Sequence, residues 1–104
     1  MNKEERRKAI IEEVGCRLEN MEASAILLGS PGEEYMYADA IVGVIGKPRP
    51  AVVYLAGKVV EALMEMNDWD HEEAMEWYGY NTERGVQYIP EKDNPPILVE
   101  GIDV

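Results

Sequence analysis

The chain has 104 residues, 46% of them hydrophobic, with 21 Asp and Glu against 10 Lys and Arg, a net charge of −11, one Cys and one His. That length holds one core, and the single Cys and single His exclude an internal disulfide framework, a cysteine-based zinc cage and any site built from two imidazoles of one chain. Residues 1–20 are neutral, Lys3, Arg6, Arg7, Lys8 and Arg17 balancing Glu4, Glu5, Glu12, Glu13 and Glu19, so the rest of the chain carries all the excess. Such a body repels phosphate backbones, and apart from a small basic point at "GKPRP" nothing favours direct nucleic-acid binding. It favours a basic protein surface instead, including one that normally holds nucleic acid.

The first segment, "NKEERRKAIIEEVGCRLENME", predicts an amphipathic helix over residues 1–22. Ile11, Val14, Leu18 and Met21 recur at helical spacing and form one stripe. Gly15 weakens this helix by about 1 kcal/mol relative to Ala, so the stripe needs a partner, either the body of the chain or a second copy of itself. Cys16 is expected reduced and partly buried on the helix. No apolar run is long enough to span a bilayer, and "MNKEERRKAI" has charges where a signal peptide needs an apolar stretch. A cytoplasmic protein is therefore expected.

Next, "SAILLG" runs into "GSPG", where Pro31 and Gly32 suit the central positions of a type II turn. Two strands follow in "DAIVGVIG" and "AVVYLA", separated by the two prolines of "KPRP". Both are apolar on both sides: Ile41, Gly43 and Ile45 alternate with Ala40, Val42 and Val44, and Val52 and Tyr54 with Val53 and Leu55. Either helices cover both faces, the N-terminal helix supplying the second cover, or one face meets another subunit. Gly43 predicts a bulge or a close approach. In "GKVVEALMEMN", Val59, Val60, Leu63 and Met64 share one face of a helix of about three turns, and Gly57-Lys58 lacks the rest of a phosphate loop.

The run "NDWDHEEAMEWYGYN" starts a second helix. Asp70 and Glu73 match a capping box, with Trp69 as the staple residue. Ala74, Trp77, Tyr78 and Asn81 form the expected inner face, and Gly79 and "NTERG" are stop signals. Asp68, Asp70 and Glu72 mimic the start of a calcium loop, but its turn glycine and closing bidentate acid are missing. No metal or cofactor is expected. After the helix, "GVQYIP" and "PPILVEGI" read as strands around "EKDNP", the second at an edge because of Pro95 and Pro96, and "GIDV" as a tail.

Glu61, Glu65, Asp68, Asp70, Glu72, Glu73 and Glu76 follow one another without an intervening Lys or Arg. The plain reading of such a run is a solvated face; the functional reading is a surface complementary to a basic partner. Six Tyr, two Trp and no Phe favour boundary positions where aromatic rings meet water. Tyr35, Tyr37, Tyr80 and Tyr88 are expected at the surface, Tyr54 and Tyr78 in the core. The expected partner-binding residues are Trp69, Asp70, Glu72, Glu73, Glu76 and Tyr80.

From Tyr35 to Val99, through "DAIVGV", "VVYLAGKVVEALM", "EEAMEWYGYN", "GV" and "PPILV", the chain resembles a widespread group of small uncharacterised proteins from phages and prophages. Many of them have a Tyr-Asp pair leading into the first of two helices; here Tyr54-Leu55-Ala56-Gly57 stands there, so no role of that Asp carries over. The resemblance implies a viral setting and stoichiometric action on host machinery. The sequence thus predicts a single α+β domain over residues 1–104, with an N-terminal helix over 1–22, a body over 23–100 and a tail over 101–104. The body holds a mainly antiparallel sheet of three to five strands and two consecutive helices on one face. Its expected function is non-enzymatic binding to a basic host-protein surface, as a counter-defence or takeover inhibitor acting as a nucleic-acid mimic. The alternatives are a homodimer through the apolar sheet face or the N-terminal helix stripe, and a carboxylate-based hydrolase.

Overall fold

Periodicity in the first segment produces helix α1, Lys3–Asn20, whose start is capped by the Asn2 side chain accepting the Glu5 N–H at 2.8 Å. In the computed structural model, which describes residues 1–102, a 3-10 helix at Glu34–Ala40 follows, then strands β1 (Ile41–Ile45) and β2 (Ala51–Leu55). Helix α2 spans Ala56–Asn67 and α3 spans His71–Trp77. A π-helical turn over Tyr78–Glu83 leads straight into α4 (Arg84–Tyr88), and a short 3-10 turn at Glu91–Asp93 precedes β3 (Ile97–Val99). Gly101 and Ile102 are exposed and outside regular structure; the remainder of the expected tail, Asp103 and Val104, lies outside the described residues.

The domain is α+β, with a three-stranded sheet in the order β1-β2-β3. One strand pair is antiparallel and the other parallel, so the sheet is mixed where a mainly antiparallel one was expected. A parallel neighbour requires the chain to cross back over the sheet, and the helices between residues 56 and 88 are that crossover. β3 takes an edge, as expected from the two prolines that precede it.

Register sorts the side chains. Opposite residues share a face, which puts Ile41, Val44, Val52, Tyr54 and Leu98 together. These meet Val14 and Leu18 of α1, Val59, Val60 and Leu63 of α2, Ala74 of α3 and Tyr78 in one core. Ile45, Val53, Leu55, Ile97 and Val99 lie outside that core and are only half-buried. Helices therefore cover one face, and α1 joins the others on that side instead of covering the second face. Between Ile41 and Gly43 the register slips, which makes the Gly43 signal a bulge and leaves Val42 63% exposed.

Three further expectations are corrected. The stripe on α1 is engaged within the chain, Val14 and Leu18 being buried, so it is not free to pair with a second copy. Cys16 is exposed on the opposite side. The stretch read as a strand at "GVQYIP" is helical up to Tyr88, because the helical run does not stop at Gly79. Asn81, read as a stop signal, donates its side-chain amide to the Trp77 carbonyl at 3.2 Å and so supports the widened turn.

Between α1 and the first 3-10 helix the chain runs without regular structure but is pinned at each step. The Ile26 N–H donates to the Asn94 carbonyl at 3.0 Å, the Asn94 side chain to the Ser24 carbonyl at 2.8 Å, and the Leu28 N–H to the Tyr54 hydroxyl at 3.0 Å. Burial pushes the Tyr54 phenol up to about 12, the Leu28 bond opposing the shift. The expected turn at Ser30–Glu33 closes with the Glu33 N–H donating to the Ser30 carbonyl at 2.8 Å, Gly32 supplying the positive φ of 86°.

One charged residue sits on the buried side of α1. Arg7, 7% exposed, donates Nε to Asp39 at 2.9 Å and Nη2 to Glu65 at 2.9 Å, and Lys3 reaches the same Glu65 at 3.2 Å. The guanidinium thus ties α1 to the 3-10 helix and to α2. The hydrogen bond from Arg7, and after it the one from Lys3, holds the Glu65 carboxyl below the usual carboxylate range. A carboxyl held low in the folded chain stabilises it above the unfolded-state pKa, and that contribution is lost as pH falls through the folded value. Stability is therefore expected to drop below the ordinary glutamate range, and Glu65→Gln to flatten this acid limb in urea titrations across pH. Arg7→Met is expected to cost about 2 kcal/mol near neutral pH, the scale of hydrogen bonds to charged groups. The larger penalty of an orphaned buried charge does not arise, because both carboxylates keep access to water.

Candidate binding site on the α3 face

Asp70 stops the chain from continuing out of α2 and starts α3. Its carboxylate accepts the Glu73 N–H at 2.9 Å while Glu73 reaches back to the Asp70 N–H at 3.5 Å, completing the capping box. Asp68 reverses the chain beforehand in the left-handed region, at φ 55°, a conformation to which Asp adapts better than most residues. Trp69, between them, is half-buried and packs against the core.

Helical spacing alone places Ala74, Trp77, Tyr78 and Asn81 inward, but only Ala74 and Tyr78 are buried. The inward line is Ala74, Tyr78, Thr82 and Val86, a spacing of four, which is longer than the α repeat and follows from the wider π turn. Trp77 is consequently 38% exposed and Tyr80 64% exposed. Trp69 and Trp77 face each other with ring centroids 6.1 Å apart and planes tilted by 45°. Together with Tyr80, Glu73, Glu76 and Asn81 they line an open cleft of about 350 Å³.

Four of the six residues selected from the sequence, Trp69, Glu73, Glu76 and Tyr80, thus converge on one cleft. Asp70 and Glu72 are exposed nearby at the start of the same helix, Asp70 engaged as its cap. Trp77, assigned to the core by periodicity, is the residue that sequence reasoning missed. The available signal was the pair Gly79 and Asn81, which marks the place where the helix changes its repeat.

Not all seven acids of the run are open to a partner. Glu65 belongs to Arg7 and Lys3, and Glu61 pairs with Lys58 at 3.1 Å. Among the described residues, Asp68, Asp70, Glu72, Glu73 and Glu76 form no ion pair and all are exposed. In the basic stretch "GKPRP", Arg49 donates to the Pro95 carbonyl at 2.9 Å and so joins the β1–β2 loop to the approach of β3.

The expected aromatic sorting holds for four of the six tyrosines, Tyr54 and Tyr78 being buried and Tyr80 and Tyr88 exposed; Tyr35 and Tyr37, expected at the surface, are half-buried, and Tyr37 packs against the core. Burial raises the Tyr78 phenol, with the charges of Glu83 and Glu100 adding to the effect. A wider hollow of about 810 Å³ lies on that side of the π turn, lined by Gly57, Val60, Tyr78, Val86 and Leu98 among others. Its walls are mainly apolar, with Glu83 and Glu100 also in its lining.

Compared with models of protein families, with curated proteins and with solved structures, the chain matches none. No helix among the described residues is long and apolar enough to cross a membrane.

Capping and charge at Asp70 separate experimentally. Asp70→Ala is expected to cost about 1 kcal/mol of stability, whereas Asp70→Asn, which keeps an N-cap acceptor and removes the charge, is expected to change it by only a few tenths. Thermal unfolding of both variants checks this.

Proposed function

We propose that the chain is a non-enzymatic binding protein of phage type that occupies a basic surface of a host protein in the host cytoplasm, as a counter-defence or takeover inhibitor presenting carboxylates where nucleic acid would otherwise lie. One observation carries the reading: five exposed carboxylates, without ion pairs among the described residues, stand from Asp68 to Glu76 around the start of α3, beside the partly exposed indole of Trp77 and the exposed phenol of Tyr80. The acids steer a basic partner and the aromatic rings supply the area that excludes water on contact. The viral setting comes from the sequence resemblance, and the neutral N-terminal helix fits the same scheme because its charges are balanced within itself and against the body.

Affinity capture from host lysate tests this. A partner is expected at low salt, released as salt rises, and at least about tenfold weaker with E72K/E73Q/E76K, on the scale measured for charge pairs across interfaces. Gln at position 73 keeps the capping box, so the variant changes charge without removing the helix start. Capture that survives both high salt and this variant would remove the proposal.

A second reading, compatible with the first, is self-association through the outer sheet face. It is favoured by the half-buried row Ile45, Val53, Leu55, Ile97 and Val99, with Val42 exposed beside it and no helix covering them. Light scattering is expected to show mass rising with concentration, and Val42→Lys to suppress the rise with little loss of stability. A strict monomer at the highest attainable concentration disproves this reading.

A further inference from the structure

We infer that the cleft between Trp69, Trp77 and Tyr80 takes an arginine side chain presented by a basic segment of the partner, an inference that rests on the binding role proposed above for the α3 face. Aromatic faces carry the negative end of a quadrupole and attract a cation placed over them. Here Trp69, Trp77 and Tyr80 line the same hollow as Glu73 and Glu76, so ring faces and carboxylates favour the same charge at the same place. Neither carboxylate has an ion-pair partner among the described residues.

The molecule already uses one of these rings in this way. Arg84, on α4, holds its guanidinium carbon 5.9 Å from the centroid of the Tyr80 ring. A guanidinium is planar, weakly hydrated and forked, which allows it to lie against an indole or phenol while pairing with a carboxylate at its edge. An ammonium is a compact, strongly hydrated point charge, and an open cleft of this kind does not enclose it enough to replace its water. The geometry therefore favours arginine over lysine, and a charged occupant over an apolar one.

The test uses the full chain at low salt and two capped pentapeptides, Gly-Arg-Gly-Arg-Gly and Gly-Lys-Gly-Lys-Gly. The arginine peptide is expected to shift the indole N–H signals of Trp69 and Trp77 and to bind about three- to fivefold more tightly than the lysine peptide. Tyr80→Ala and Trp77→Ala are each expected to weaken it by a similar factor, about three- to fivefold, and Tyr88→Ala, at an exposed Tyr that does not line the cleft, to leave it unchanged. Tyr80 is largely in water, so its variant reads binding without loss of folding.

Equal affinity for the two peptides, or indole signals that stay in place, overturns the inference. Binding that is lost in E72K/E73Q/E76K but intact in Tyr80→Ala overturns it too, while leaving the acidic-surface reading standing. If neither peptide binds, the inference is overturned as well; the partner capture described above does not depend on which cationic side chain is presented and judges the broader reading separately.

Discussion

Everything in this fold follows from β2 having a neighbour on each side, one antiparallel and one parallel. β1 reaches it by a short loop, but β3 lies parallel to it only if the chain first crosses the sheet. That requirement stacks α2, α3, the π turn and α4 in sequence and commits Val52 and Tyr54 of β2 to face them. With α1 on the same side, the core has a single location, and the acids of α2 and α3 are left pointing outward.

Two polar contacts make this arrangement specific. Arg7 is the only buried charged residue among those described, and it joins three elements far apart in sequence: α1 through its own backbone, the 3-10 helix through Asp39 and α2 through Glu65. The Tyr54 hydroxyl accepts the Leu28 N–H and anchors a stretch with no ladder of its own. Such contacts add little net energy compared with the apolar core, yet each leaves a buried polar group unsatisfied if the pieces dock differently. The same docking also sets the charge balance of the surface, since it removes Glu65 from the acidic run.

The π turn connects fold to site. An α-helix continued from Ala74 would carry Trp77 and Asn81 toward the core alongside Tyr78, whereas the wider turn keeps Tyr78, Thr82 and Val86 in line and leaves Trp77 and Tyr80 outside. Widened turns recur at functional sites because they displace side chains from the regular pattern. In this chain the displaced groups are aromatic rings set beside unpaired carboxylates.

Local chemistry made much of this legible without coordinates. The cap of Asp70, the Pro31-Gly32 turn, the paired strands, the bulge at Gly43 and the edge position of β3 all depend on a few neighbouring residues, and pattern reaches that far. Four of the six selected site residues meet in one cleft because they share one capped helix and its extension. What pattern did not reveal was the burial of Arg7, the engagement of Glu65 and Glu61, the exposure of Trp77, the helical state of "GVQYIP" and the gathering of the helices on one face of the sheet. Each of these is set by how distant segments pack, and the same apolar or charged residue satisfies its local rule in either arrangement. Sequence by itself determined which residues are available for binding; tertiary structure decided which of them remain open to a partner, because only docking shows which charges are already engaged within the chain.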